Sequence, residues 1–160
     1  MKTGKFLSIK KIRMKNIFWT FLFFSTALFS QQDYNTKKGF AAEGYDVVAY
    51  FKNKAIKGEK KNIATFDGVK YRFTSKENLI TFKKNPSQYI PQYGGYCAYA
   101  IGKNAAKVSI NPKTFEIRDG KLYLFYNSWG TNTLTLWNKE GADSLKKRAD
   151  KNWQLLKNKS

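Results

Sequence analysis

Hydrophobic and polar positions alternate along two stretches of the chain, residues 62–74 and residues 114–126. An Asp-Gly pair interrupts each stretch near its middle. Because Asp-Gly fits the central positions of a tight turn, this pattern is typical of a β-hairpin. Residues 122–125 are apolar without a break, which indicates a central strand that is buried on both faces. We therefore expect two β-hairpins, the second of which supplies a central strand.

A helical pattern follows the first hairpin. Ser75 is a good N-cap for a helix over residues 76–84, and Pro86 stops that helix soon after its end. We expect one further helical turn over residues 87–90. Apolar residues recur at intervals of three or four along residues 134–156, which favours helices in the C-terminal tail.

The order of hairpin, helix, hairpin and helices indicates an α+β fold. We expect a small antiparallel sheet that is built from the two β-hairpins and packed against helices, with a C-terminal helical extension. Residues 45–51 are β-branched and aromatic, so they indicate one more short buried strand. Residues 31–43 are polar and contain glycine, and we expect a flexible lead-in there. The folded domain is then residues 44–157.

The first thirty residues have the parts of an export signal. Residues 2–15 carry six lysines or arginines and no acidic residue, and residues 17–29 form an apolar run. This run is shorter than the roughly 20 residues of a membrane-spanning helix. Ser30 supplies a small residue before a cleavage site at Gln31. We expect a signal peptide and a periplasmic or secreted mature protein; the alternatives are a start at Met14 and an uncleaved membrane anchor.

The charge of the mature chain limits its partners. Six of the 30 lysines and arginines lie in the leader, so 24 remain against 11 acidic residues, a net charge of +13. Nucleic-acid recognition is disfavoured because only three of the 24 are arginines and the lysines are scattered. We expect a solvated lysine-rich surface, and the alternative is weak attraction to an anionic envelope surface.

Two residue types limit the chemistry. Histidine is absent, which excludes Ser-His-Asp and Cys-His catalysis and every histidine-ligated metal site within this chain. The single cysteine, Cys97, has no partner for an intramolecular disulfide. The hydrophobic core must therefore stabilise the domain by itself, and an aromatic content of 17% makes that feasible.

The stretch from Pro91 to Gly102, PQYGGYCAYAIG, is the strongest candidate for a functional site, and its residues 96–101 have a helical pattern. Adjacent glycines permit a positive φ or the close approach of another group, and tyrosines supply apolar faces with polar tips. Asp46 and Tyr50 belong to the predicted strand 45–51. For Asp46 we favour capping or hydrogen bonding to backbone amides, and the alternative is a polar wall of the same pocket. For Tyr50 and the tyrosines of the stretch, packing in the core or at its rim is favoured over a ligand cage. The candidate ligand-binding residues are Asp46, Tyr50, Tyr93, Gly94, Gly95, Tyr96, Cys97 and Tyr99.

Three roles for Cys97 stay open. The commonest role of a free cysteine is that of a small buried hydrophobe. A second role is that of a ligand for a small molecule or a soft metal ion, for which Cys97 is the one soft candidate in the chain. A third role is that of a reactive thiol, although no histidine can serve as its base.

Residues 62–90, NIATFDGVKYRFTSKENLITFKKNPSQYI, resemble the core of the YHS domain family. That core has a strand, a glycine turn, an aromatic strand, and a helix that ends in Asn-Pro followed by a tyrosine. The corresponding residues here are Phe66, Gly68, Tyr71, Phe73, Ser75, Phe82, Asn85, Pro86 and Tyr89. Residues 44–51 and 92–100 are similar to the exported, single-domain branch. The resemblance extends from Gly44 to Trp153 and implies a treble-clef-like core.

The metal-associated members of that family carry cysteines near the first strand and around the helix start. The corresponding positions in this chain are Ala49, Thr74 and Asn78. Because all three thiolates are missing, the resemblance does not imply a soft-metal site here. Cys97 lies outside this set of positions.

Two functions are compatible with these residues. The first, which we favour, is an exported, non-catalytic binding module for a metal ion or a small ligand near Cys97. The second is a thiol-dependent redox protein or enzyme that uses Cys97.

Overall fold

The α+β class is confirmed by a computed structural model, which describes residues 33–157; the predicted leader lies outside the described residues. The strands are β1 (Thr36–Lys37), β2 (Phe40–Ala41), β3 (Ile63–Phe66), β4 (Val69–Arg72), β5 (Asn111–Arg118), β6 (Lys121–Phe125), β7 (Asn127–Ser128) and β8 (Thr131–Asn132). The helices are α1 (Lys76–Lys84), α2 (Pro86–Tyr89), α3 (Ala98–Asn104), α4 (Thr133–Lys139) and α5 (Ala142–Leu156).

Both predicted hairpins form, with four antiparallel residue pairs between β3 and β4 and a second antiparallel ladder between β5 and β6. Two further hairpins, β1–β2 and β7–β8, were not predicted. In all four turns both residues have a positive φ, which is the type I′ geometry that suits the twist of paired strands. The turn pairs are Lys38-Gly39, Asp67-Gly68, Asp119-Gly120 and Trp129-Gly130.

The expectation of one antiparallel sheet built from the two hairpins is wrong. The first hairpin belongs to a four-stranded sheet of order β1-β2-β4-β3, whereas β5 and β6 form a separate two-stranded sheet. The four-stranded sheet is also not purely antiparallel, because β2 runs parallel to β4 with Phe40 opposite Lys70. Apolar alternation therefore predicted each hairpin but not which hairpins share a sheet.

Strand β6 is buried on both faces, as its uninterrupted apolar sequence predicts. Leu122 and Leu124 belong to a core with the aromatic side chains of the first hairpin, whereas Tyr123 and Phe125 belong to a second core with α3, α4 and α5. Alternate side chains of a strand point to opposite faces, so β6 separates the two cores. The expectation that it is a central strand is wrong, because within residues 33–157 β6 pairs in a ladder with β5 alone and gains only a single parallel bridge, between Leu124 and Cys97.

Residues 45–51 do not form the predicted strand. They contain instead a hydrogen-bonded turn at Val47 and Val48 and a 3₁₀ turn at Ala49–Lys52. The Asp46 carboxylate accepts hydrogen bonds from the backbone N–H groups of Val48 at 2.9 Å and Ala49 at 3.2 Å. An aspartate that binds amides two and three residues further on favours a turn over an extended strand, despite the β-branched composition.

The flexible lead-in predicted for residues 31–43 is also wrong for its described part. Residues 36–41 form β1, a turn and β2, and a 3₁₀ turn follows at Ala42–Gly44. The folded domain therefore begins well before residue 44.

The helices agree with the sequence pattern. Ser75 caps α1, because its side chain accepts a hydrogen bond from the backbone N–H of Asn78 at 3.2 Å. The predicted short turn before Pro91 is α2, and the C-terminal tail forms α4 and α5. Within residues 33–157, none of the helices is long and apolar enough to cross a bilayer.

Candidate functional site

The glycine pair of the predicted site lies against the beginning of the described chain. Tyr93, Gly94 and Gly95 all have a positive φ, so this backbone curls in a way that two glycines permit. The backbone N–H of Asn35 donates to the carbonyl oxygen of Gly94 at 2.8 Å, and the Asn35 Nδ2 donates to that of Gly95 at 3.0 Å. A Cβ on Gly94 would lie 2.3 Å from the carbonyl oxygen of Asp33. The close approach is therefore made by the protein's own backbone.

Residues 33–35, which we call the N-terminal strap, are fixed by side chains as well. The Asp33 carboxylate accepts hydrogen bonds from the Tyr96 hydroxyl at 2.9 Å and from the Lys107 ammonium. The bond from Lys107 is the main cause that holds the pKa of Asp33 below its ordinary value of 3.8. Burial, together with the bond to Asp33, raises the pKa of Tyr96 to about 12. Tyr96 is thus a neutral donor that holds the strap.

A cleft of about 500 Å³ opens beside the strap. Its wall contains the strap residue Tyr34, the first-hairpin turn, the chain around Pro91–Gly94, and the C-terminal half of α5. The aromatic residues of the wall are Tyr34, Phe66, Tyr93 and Trp153. The ring centroids of Tyr93 and Trp153 lie 6.4 Å apart in an edge-to-face arrangement, so they form one continuous apolar surface.

Two carboxylates of the cleft wall are each paired with a tyrosine hydroxyl. Tyr34 donates to the Asp67 Oδ2 at 2.8 Å, and Tyr93 donates to the Asp150 Oδ1 at 2.9 Å. Burial first, and then the carboxylate partner, raises the pKa of both tyrosines well above the usual range. Both hydroxyls therefore stay protonated and donate, which leaves each carboxylate as an acceptor with unused capacity.

The charged groups of the cleft wall are Asp67, Asp150 and Lys121, and the rest of the wall is aromatic, apolar or neutral polar. The wall therefore carries a net negative charge on a strongly basic protein. Lys146 also approaches the Asp150 Oδ2, at 3.5 Å, but its ammonium does not line the cleft. Such a wall suits a ligand that is cationic and has an apolar surface.

Cys97 is separated from this cleft. Its side chain is completely buried, its Sγ lies 3.3 Å from the Thr133 Oγ1, and its backbone forms a bridge to Leu124 of β6. Tyr99 lies elsewhere too, because its hydroxyl donates to the exposed Glu140 at 2.8 Å. Of the predicted stretch, the structure places Tyr93 and Gly94 on the cleft and Gly95, Tyr96, Cys97 and Tyr99 outside its wall.

Asp46 and Tyr50, the other two predicted site residues, lie in the first core. Tyr50 is completely buried and donates to the Pro112 carbonyl oxygen at 2.6 Å. Asp46 is also completely buried, and it accepts five hydrogen bonds, which we call the Asp46 network. Besides the two backbone bonds described above, the Asp46 Oδ2 accepts from the Thr74 N–H at 2.8 Å, the Thr74 hydroxyl at 2.7 Å and the Asn78 Nδ2 at 2.7 Å.

Three of the four residues that donate to the Asp46 carboxylate are Ala49, Thr74 and Asn78. The sequence resemblance to YHS domains matches these three positions to cysteines of the metal-associated members. They belong to a 3₁₀ turn, the segment between β4 and α1, and the first turn of α1. One buried carboxylate therefore ties together the three segments.

Sequence reasoning missed most of the cleft. Tyr34, Asp67, Asp150 and Trp153 were not candidate site residues, although each lines it. Asp67 was interpreted as a turn residue and Trp153 as part of a helical face, and both interpretations are also true of the structure. No local signal unites these residues, because Tyr93 and Asp150 are 57 positions apart in the chain.

Comparison with protein-family models, curated proteins and solved structures found no significant match to this chain. Among the residues that the structure describes, no three His, Cys, Asp or Glu side chains are grouped so that they could hold a metal ion.

Proposed function

We propose that the protein is an exported, non-catalytic binding module that holds a small organic cation in the cleft beside the N-terminal strap. The observation that carries the proposal is the pairing of two tyrosine-bound carboxylates, Asp67 and Asp150, with aromatic rings in one cleft of about 500 Å³. Carboxylates attract an ammonium group, and the faces of Tyr and Trp rings attract it further. Export is inferred from the leader sequence.

The charge distribution supports a cationic rather than an anionic ligand. A mature chain with a net charge of +13 has ample basic surface for binding an anion, yet this cleft presents two acidic side chains and one lysine. The tyrosine hydroxyls, which could donate to an anion, already donate to Asp67 and Asp150.

A metal ion or ligand at Cys97 is a weaker proposal. The completely buried Cys97 side chain has Thr133 as its polar neighbour and does not open into the cleft. The same burial favours the packing role over a thiol-dependent redox function, because thiol chemistry requires access to a partner. Native protein that reacts with a thiol reagent as fast as unfolded protein would restore the redox function.

Membership of the YHS family stays a proposal as well. It is supported by the strand, turn, strand and helix at residues 63–84, and by the convergence of Ala49, Thr74 and Asn78 on one carboxylate. In this interpretation the Asp46 network occupies the place of a metal centre and makes that part of the protein structural. The ligand site is then the cleft.

The proposal is tested with choline as the cationic probe and dimethylbutanol as its uncharged carbon analogue. The full chain is secreted by a bacterial host with isotope labelling, and the purified protein is titrated with each probe. We expect choline to shift the indole N–H signal of Trp153 and the amide signals of Tyr34 and Asp67. We expect the neutral analogue to bind at least ~10-fold more weakly, since it lacks the charge.

Each outcome of this titration decides a part of the proposal. Equal binding of both probes at the cleft would keep the binding module but overturn its preference for a cation. Signal changes near Cys97 instead of Trp153 would move the site back to the predicted stretch. Absence of any shift with choline at millimolar concentration would overturn the proposed ligand class.

A further inference from the structure

The exposed side chain of Trp129 is the feature that neither the fold nor the cleft explains. Trp129 is 96% exposed at the tip of the β7–β8 hairpin, whereas Trp137 and Trp153 are buried. A fully solvated tryptophan leaves a large apolar surface in water, which disfavours the folded protein's solubility and contributes nothing to its core.

The backbone makes the position of Trp129 more unusual. Trp129 has a φ of +51° and occupies the first central position of a type I′ turn. The other three hairpins of the described chain have Lys38, Asp67 and Asp119 at this position, all of them polar. Left-handed backbone disfavours bulky aromatic residues, and Asn or Asp is preferred there. The turn would therefore form better with another residue, and the fold does not require the tryptophan.

The surroundings of the hairpin show what kind of partner fits. Beside the tip, a shallow depression is lined by Gly130, Thr131, Asn132, Thr135 and Leu136, all uncharged. At the base of the hairpin, a second depression contains Ser128 together with the exposed lysines Lys57 and Lys113. The one acidic residue there, Glu43, is already paired with Lys37 at 2.8 Å. The β7–β8 hairpin therefore has an uncharged tip and positively charged lysines near its base.

We propose that the β7–β8 hairpin docks the protein on an anionic lipid surface, with Trp129 inserted among the headgroups and Lys57 and Lys113 facing lipid phosphates. Tryptophan prefers the boundary between headgroups and acyl chains. Lysines next to such an anchor add attraction to an anionic leaflet, and the net charge of +13 on the mature chain acts in the same direction. A tryptophan at an uncharged tip with lysines at the base of the hairpin matches the layered chemistry of an anionic membrane interface, and we therefore take lipid as the occupant.

The test measures vesicle binding of the full chain after secretion by a bacterial host. Wild-type protein is compared with Trp129→Asn on vesicles of phosphatidylglycerol and phosphatidylcholine, and on vesicles of phosphatidylcholine alone. Trp129→Asn leaves every charge in place and puts a preferred residue in the turn. We expect it to melt at or above the wild-type temperature while it loses roughly tenfold or more of the affinity for anionic vesicles.

A matched control separates insertion at the hairpin from general loss of apolar surface. Leu155 on α5 is 66% exposed, and Leu155→Asn removes apolar surface without changing the charge. We expect this variant to bind anionic vesicles like the wild type, and we expect wild-type binding to fall about tenfold between about 50 mM and about 500 mM NaCl.

Three results would overturn the proposal. The first is equal binding of wild type and Trp129→Asn to anionic vesicles. The second is equal binding of the wild type to both lipid compositions, since this would remove the role of the lysines. The third is a wild-type protein that binds neither vesicle, which would leave a protein surface as the occupant of the Trp129 tip.

Discussion

The Asp46 network and the cleft are both built from aspartates that join distant segments, but they differ in how much bonding capacity the protein itself uses. Asp46 is completely buried and accepts five hydrogen bonds from three segments. Within residues 33–157, the exposed Asp67 accepts one side-chain hydrogen bond, from Tyr34. A carboxylate whose acceptor sites are filled by the fold stabilises the fold, whereas one with open sites on a cleft is available to a ligand.

The largest loss of stability should follow removal of the Asp46 carboxylate, whose acceptor sites are filled by the fold. We expect Asp46→Ala to lower the free energy of unfolding by about 4 kcal/mol, because it leaves several buried donors without an acceptor. Asp143→Ala removes an exposed carboxylate that pairs with Arg118, and we expect it to cost about 0.5 kcal/mol or less. Urea unfolding of both variants checks the contrast. A loss below about 1 kcal/mol for Asp46→Ala would contradict the structural role of the network.

The position of the N-terminal strap beside the cleft depends on its close contact with Gly94. Gly94→Ala would place its Cβ 2.3 Å from the Asp33 carbonyl oxygen and 2.9 Å from a Trp153 ring carbon. We expect a loss of about 3 kcal/mol and displacement of the strap, whereas left-handed backbone alone costs about 1 to 2 kcal/mol. Gly68→Ala is the matched control, since Gly68 has a φ of +74° and no atom within 4 Å of an added Cβ. Equal losses of stability for Gly94→Ala and Gly68→Ala in thermal unfolding would show that displacement of the strap does not destabilise the protein.

Local chemistry explains what could be predicted of the fold. The Asp-Gly pairs and the Ser75 cap act within a few residues, and so both hairpins and α1 follow from the sequence. Residues 45–51 were predicted wrongly because the Asp46 side chain binds the Val48 and Ala49 amides and competes with an extended strand. Sheet membership was wrong because it depends on the pairing of β2 with β4, which no local pattern encodes.

The candidate site was harder to predict for the same reason. The stretch around Tyr93 and Gly94 was predicted as a site from its composition, and it does line the cleft. The order of the strap, however, comes from hydrogen bonds between Asn35 and a glycine pair about sixty positions away. Asp150 joins the cleft by a contact of the same range. These long-range contacts exist only after the chain has folded. Folding also buries Cys97 completely, although it is the most conspicuous residue of the stretch in the sequence.

A smaller effect should appear when the strap is titrated. The pKa of Asp33 is lower in the folded protein than its ordinary value of 3.8, mainly through its bond to Lys107. The stability that Asp33 contributes is therefore complete above that value and is lost as the pH falls through it towards the lowered pKa. We expect a loss of a few tenths of a kcal/mol, since the pair is partly solvated.

The measurement is hydrogen exchange of the Asn35 amide, which donates to Gly94, between about pH 6 and about pH 3 after correction for the intrinsic rate. Protection should decline at the acid end in the wild type, and Asp33→Asn should lack this acid-dependent decline. Protection of the Asn35 amide that is independent of pH in the wild type would show that the charge of Asp33 does not stabilise the strap.

The central claim, that the cleft rather than the buried carboxylate is the functional site, is tested most directly by choline titration of Asp67→Asn beside Asp119→Asn. Both aspartates occupy the first central position of a type I′ turn, where asparagine is equally suitable, and both changes remove one negative charge. Asp67 lines the cleft and Asp119 does not. We predict that Asp67→Asn weakens choline binding about tenfold while Asp119→Asn leaves it within about twofold of wild type. Equal affinities for choline in the two variants would contradict the account.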